Sequence, residues 1–424
     1  MITLAGVPAV AAGTVRRQFP SRFLWGASTS GHQTEGNNVA SDFWHMEHCA
    51  KSMFAEASGD AADSFNRWPH DLDLAKSLHL NSYRFSLEWA RIEPEEGKFS
   101  DAMLEHYRSI VEGCKARGLA AVVTFNHFSC PRWFAARGGW SNPAAPDLFA
   151  RYCAKAAQAI AAHIDYAVTM NEPNLPSILA WANMPGQLYE AHAAMLAECA
   201  RSLGVADFSA GFLLPRAQFA PMIPVMGAAH RKARAAIKSV RPDLPVGLSL
   251  AVTDDQGVGT NSKLNAKRAE AYQPWFEFGA QDDFVGVQNY DRMLIDANGP
   301  VAPPAATPRN FMGTEIYPAS LQGAVRYVHT ATGKPVLVTE HGLGTDDDAL
   351  RRGFITDSLA GLHQAIVEGV PVLGYMHWSL IDNFEWYFGF QPKFGLATVD
   401  RLTQKRTLKP SSAVLARIAR SNRV

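Results

Sequence analysis

The 424 residues are 47% hydrophobic and 19% charged, the balance of a globular chain. A chain of this length buries roughly three quarters of its surface and needs no disulfide or metal to complete a core. Forty basic side chains match forty acidic ones, so no net field draws the chain to nucleic acid or to an anionic membrane, and the expected partner is a neutral small molecule. The five cysteines (Cys49, Cys114, Cys130, Cys153, Cys199) are odd in number and form no CxxC pair. They argue for a reducing, cytoplasmic compartment and against a disulfide framework or a structural zinc site.

In chain order, residues 1–18 are mildly apolar with no charged n-region and read as a flexible tail rather than a signal peptide. No apolar run reaches transmembrane length. Short β-rich apolar runs then recur at 23–28, 82–89, 120–127, 166–172, 246–252, 283–290, 335–342 and 372–380. Between the second and third, Met103, Leu104, Tyr107, Ile110, Val111 and Cys114 repeat at three- and four-residue steps, as one face of an amphipathic helix does. Residues 147–164 and 356–370 read the same way, and Gly118, Gly333 and Gly369 each stand where such a helix stops.

Eight strand–helix alternations with continuously apolar strands predict a parallel sheet covered by helices, closed as a single (β/α)8 TIM barrel over residues 19–424. A doubly wound open sheet is the competitor, but no GxGxxG phosphate turn follows an early strand. The Pro-rich stretch 300–308 reads as a long rim loop after the sixth strand rather than a domain boundary.

Active sites of this architecture lie at the carboxyl ends of the strands. Read in order, those ends carry Gln33, Arg84, His127, Asn171 with Glu172, Tyr290, Glu340 and Trp378. Two carboxylates on separate strand ends are the minimum equipment for glycosidic cleavage, one protonating the leaving oxygen while the other attacks the anomeric carbon. Alternative roles are weaker. Asp346-Asp-Asp348 reads as a solvated loop, His45-Met-Glu-His48 lacks the i,i+4 spacing of a zinc helix, and Trp133 and Trp140 read as packing. No metal or cofactor is expected.

The segments Phe23-Leu-Trp-Gly-Ala-Ser, Tyr83-Arg-Phe-Ser, Asn171-Glu-Pro, Thr339-Glu340, Trp378-Ser-Leu-Ile-Asp-Asn-Phe-Glu-Trp386 and Lys393-Phe-Gly occur here in one order. Together they resemble glycoside hydrolase family 1, the β-glucosidase and β-galactosidase family, across most of the chain. The resemblance implies a retaining exo-β-glycosidase with Glu172 as acid/base and Glu340 as nucleophile, their carboxyls roughly 5–5.5 Å apart. It implies that Arg84 and Tyr290 hold the nucleophile. Gln33, His127, Asn171 and Glu385 then match groups that hydrogen-bond the sugar. Trp378, Trp386 and Phe394 match its aromatic surround.

The chain departs from the family pattern in one region. Phe128 stands where a tryptophan is usual, Gln288 replaces an asparagine, Asn289 a tyrosine, and His341 the asparagine after the nucleophile. Phe128 and Gln288 are therefore candidate determinants of sugar preference. β-Glucoside is the first expectation. The alternatives are a broader β-galactosidase, β-fucosidase or transglycosylation activity, or a non-catalytic carbohydrate-binding barrel.

Overall fold

The computed structural model describes residues 17–424. Eight parallel strands close into a barrel in sequential order. They are β1 (Leu24–Ser28), β2 (Ser82–Ser86), β3 (Ala120–Asn126), β4 (Tyr166–Asn171), β5 (Val246–Ala251), β6 (Phe284–Asn289), β7 (Val336–His341) and β8 (Val372–Trp378). Each falls within one of the runs read from sequence, because strands buried on both faces keep no polar alternation. β8 closes on β1 with Ser28 level with both Arg84 and Trp378.

The outer face of the strands packs on helices in one continuous core that includes Tyr107, Val111, Val123, Tyr152, Val285, Leu321 and Leu359. A second cluster of Val122, Val168, Phe284, Leu337 and Met376, one residue from each of five strands, fills the barrel interior. The helix Asp101–Ala116 starts where Ser100 accepts the Met103 N–H, and it buries Leu104, Tyr107, Ile110, Val111 and Cys114. Its chain leaves through Gly118 at φ +67°, and Gly333 and Gly369 take φ +66° and +99° after their helices. Helices Ala145–Ile160 and Asp348–Val367 occupy the other two expected positions.

Two long helices, Gly186–Leu203 and Met222–Val240, fill the stretch between β4 and β5. Their buried faces hold Met195, Cys199, Ala229 and Ala233, small or flexible side chains that give a faint apolar stripe in sequence. The stretch expected as a loop at 300–308 contributes one short strand, Pro300–Val301, which pairs antiparallel with Arg292–Ile295 at the rim. Of the expected N-terminal tail, residues 1–16 lie outside the described residues. Gln18 bridges Arg423, and the Phe19 N–H donates to Asn422 O at 3.0 Å, so the two ends of the described chain meet.

Candidate active site

Register irregularities decide which side chains enter the mouth. From Val168 and Leu337, both interior, strict alternation would send Asn171 and Glu340 to the outer face. The pairing slips between Val168 and Asn171 on β4, and between Val338 and Glu340 on β7. Such slips re-aim side chains near active sites. Here they return both residues to the interior.

Arg84, fully buried on β2, organises the centre. Its Nη1 lies 2.5 Å from Glu340 Oε1, its Nη2 donates to Asn171 Oδ1 at 2.6 Å, and its Nε donates to Thr124 Oγ1 at 3.1 Å. Tyr290 donates its hydroxyl hydrogen to Glu340 Oε2 at 2.6 Å. Gln288, expected beside the sugar, donates from its amide nitrogen to Glu340 Oε1 (2.9 Å) and Asn171 Oδ1 (2.6 Å), and its Oε1 keeps no protein partner. Sequence reasoning missed Thr124 and Thr339, whose carbonyl takes a second Arg84 contact at 3.3 Å. Their signal is a polar residue on the same strand face as an interior apolar one.

Burial pushes the Glu172 carboxyl well above its ordinary range, and the neighbouring Glu340 charge adds to that; Arg84 opposes both. A cavity of about 40 Å³ at Glu172, lined by Phe128, Trp140, Met170, Phe212 and Leu214, supplies the apolar surroundings. Burial raises Glu340 too, but the Arg84 charge and the hydrogen bonds from Tyr290 and Arg84 pull it back. The environments therefore separate the two carboxyls, with Glu172 the better proton carrier and Glu340 the better anion.

The remaining expected residues form one wall. His127 is buried, its ring stacked on Trp378 (centroids 5.7 Å apart) and on Trp386 (6.2 Å). Burial and the Arg84 charge hold it well below its usual pKa, so it is a neutral imidazole. Gln33 uses Nε2 to fix the 383–385 segment, donating to Phe384 O at 2.8 Å and Glu385 Oε2 at 3.3 Å. Burial, then the Glu340 charge, raises Glu385 to about 8. Phe128 packs on Phe212 (4.9 Å) and Trp386 (5.3 Å), and Phe394 meets Tyr290 edge-on at 5.9 Å. Three buried polar atoms in this group have no protein partner: Asn171 Nδ2, His127 Nδ1 and Gln288 Oε1. They supply donors and acceptors of the kind that sugar hydroxyls satisfy.

Strain marks the same residues. Phe128, Glu172 and Trp386 are non-glycine residues at φ +66°, +45° and +50°. Each such position costs on the order of 1–3 kcal/mol and persists where the surroundings enforce it. Next to Phe128, the buried Glu88 accepts from the His32 N–H (2.8 Å) and Asn38 Nδ2 (2.7 Å), and from Ser129, tying the loops after β1 and β3 together. Trp133 and Trp140 pack against Phe134, Asp347 caps a helix, and no cluster of metal-ligating side chains exists among the described residues.

A closed barrel whose carboxyl-end mouth holds two buried carboxyls, one bonded to an arginine and a tyrosine and the other among apolar side chains, has the layout of a glycoside hydrolase. Comparison with known proteins gives the family. The model for glycosyl hydrolase family 1 matches residues 15–297 and 279–424, and the chain belongs to that family. It is 29% identical to beta-glucosidase A of Thermotoga maritima over 96% of this chain and 98% of that one. It is 27% identical to the beta-galactosidase of Sulfolobus acidocaldarius over 95% of each. Among solved structures, it matches the beta-glycosidase BGL167 with a TM-score of 0.90 at 43% identity, covering 95% of this chain and 97% of that one. The apo beta-glucosidase 1317 matches with a TM-score of 0.91 at 40% identity, covering 94% and 98%. The protein is thus an O-glycoside hydrolase of the retaining β-glycosidase type, and its substrate is a β-glycoside.

Proposed function

We propose that the protein is an exo-acting β-glucosidase that works through a glycosyl ester on Glu340, with Glu172 as acid/base. The observation that carries this reading is the unequal treatment of the two carboxyls. Glu340 receives Arg84, Tyr290 and Gln288, whereas Glu172 is surrounded by apolar side chains. Glu340 attacks the anomeric carbon as an anion while Glu172 passes its proton to the departing oxygen. Once Glu340 is a neutral ester, burial still raises Glu172 but the added push of the Glu340 charge is gone, so its pKa falls and it takes a proton from the water that releases the sugar.

Recognition of the sugar is assigned to the residues around the two carboxyls. Glu385 and His127 receive and donate to hydroxyls, Asn171 Nδ2 offers a further donor, and Trp378 with Trp386 supplies flat apolar faces for the ring C–H groups. Phe128 offers no N–H, so galactose and fucose are the second reading for the glycone, with a loss of about 0.5–1.5 kcal/mol of discrimination per missing neutral hydrogen bond. Residues 19–424 are proposed to act as one catalytic unit. Cytoplasmic location is proposed from the five free thiols, four of them buried. Turnover of aryl β-glucoside, β-galactoside and β-fucoside, with the first-formed product anomer followed by NMR, tests the assignment. A β-anomer with glucose preferred is expected; an α-anomer would overturn the mechanism, and preference for another sugar would overturn the glycone.

A further inference from the structure

The rim beyond Tyr290 carries apolar side chains that the catalytic reading leaves unused. Residues 309–315 fold back on themselves: Arg309 bridges Glu315, and the Asn310 N–H donates to Thr314 O at 2.9 Å. Asn310 Oδ1 accepts the Met312 and Thr314 N–H groups at 2.9 and 3.1 Å, and Arg292 holds Glu315 through two contacts of 2.5 and 2.9 Å. The tip of this pinned turn presents Phe311 and Met312, each 41% exposed, next to Phe388 at 43%. Exposed large apolar residues are ordinarily scattered singly. These adjoin one another and the active site. Phe311 meets Phe388 at 5.4 Å and 87°, and it meets Phe394 at 5.7 Å and 88°. Phe394 in turn meets Tyr290, whose hydroxyl lies on Glu340. Gly344 makes the contact possible, since a Cβ there would fall 2.7 Å from the Phe311 ring and 2.9 Å from that of Phe394.

We infer that Phe311 and Phe388 seat the leaving group and favour β-glycosides whose aglycone is a flat apolar ring system over those whose aglycone is a second sugar. The inference rests on the reading of the barrel mouth as the sugar site. The two perpendicular rings form a corner in which an aromatic aglycone buries its face and edge. A sugar in the same place would lay its hydroxyls against two phenyl rings, and the Asn310 side-chain oxygen at the turn is already taken by backbone N–H groups.

The test compares 2-naphthyl β-glucoside, cellobiose and β-glucosyl fluoride, whose leaving group is too small to reach the turn. The wild-type enzyme is expected to prefer the naphthyl glucoside to cellobiose. In Phe311→Ser and Phe388→Ser, the kcat/KM ratio of naphthyl glucoside to glucosyl fluoride should fall about three- to tenfold, mainly through KM, the scale of one aromatic contact. Leu402→Ser, at a 96% exposed site far along the chain, controls for loss of surface hydrophobicity and should leave the ratio unchanged. Phe311 sits at a turn tip, so its variant reports even where the Phe388 variant melts early. An unchanged ratio in both variants, an equal fall on both substrates, or a wild-type preference for cellobiose overturns the inference. Failure to turn over any β-glucoside, glucosyl fluoride included, would instead remove the sugar-site assignment beneath it.

Discussion

Replacing Tyr290 with phenylalanine removes one hydrogen-bond donor from Glu340 and leaves the ring and its contact with Phe394 in place. The lost contact is the 2.6 Å bond to Glu340 Oε2, while Oε1 keeps Arg84 and Gln288. A hydrogen bond to a charged acceptor contributes about 1.5–3 kcal/mol. At about 1.4 kcal/mol per pKa unit, that raises the Glu340 pKa by roughly 1–2 units. The sign follows from what the bond favours. Tyr290 stabilises the carboxylate over the acid, so its removal favours protonation. Glu340 must be ionised to attack, so the acid limb of kcat/KM moves to higher pH. Burial and the Glu340 charge hold the Tyr290 hydroxyl itself well above its ordinary pKa, so it stays a donor throughout the profile. The assay is kcat/KM for 4-nitrophenyl β-glucoside against pH for wild type and Tyr290→Phe. A loss of about 10–100-fold is expected just above the wild-type limb, shrinking on the plateau, where only alignment is lost. An acid limb that stays in place while the plateau falls would show the hydroxyl to be structural. A limb that moves to lower pH would show that Glu340 is not the group it reports.

Glu172→Ala should lose at least about 10²-fold on substrates with poor leaving groups, the usual scale of general acid catalysis, with much less loss on 2,4-dinitrophenyl β-glucoside. Added azide should restore turnover and give a β-glycosyl azide detectable by mass spectrometry; an α-azide would contradict the geometry. Glu385, raised to about 8, should tighten substrate binding as it ionises, since a carboxylate accepts from hydroxyls better than its acid does. KM should therefore fall as pH rises through about 8 in wild type and stay flat and higher in Glu385→Gln. Lys267, buried against Asp255 with Thr253 at 2.5 Å, should behave as half of a buried ion pair. Lys267→Met is expected to cost about 3–5 kcal/mol in denaturant unfolding, with KM unchanged in the folded fraction.

The barrel was legible because the strands are continuously apolar and the stops are glycines: all eight runs contain strands, and Gly118, Gly333 and Gly369 each end a helix. The helices between β4 and β5 were not, since Ala and Met on their buried faces carry little periodic contrast. At the site, residue types at strand ends located Arg84, Glu172, Tyr290 and Glu340. Their contacts were not legible, because alternation from Val168 and Leu337 points Asn171 and Glu340 the wrong way and only a register slip corrects it. Gln288 illustrates the same limit. As a departure from the family pattern it suggested altered sugar binding; that its nitrogen is committed to Glu340 and Asn171 while its oxygen keeps no protein partner is visible only in the geometry. Of the other departures, the His341 ring reaches the Asn289 backbone carbonyl at 2.6 Å and so ties β7 to β6, while the Asn289 amide donates to Val252 O at 2.9 Å.

Trapping the intermediate reads the division of labour between the two carboxyls at the reacting atom. Incubation with a 2-deoxy-2-fluoro β-glucoside bearing a good leaving group, followed by proteolysis and mass spectrometry, should give one glycosylated peptide with the label on Glu340. Label on Glu172, or on any other residue, would take the nucleophile's role away from Glu340.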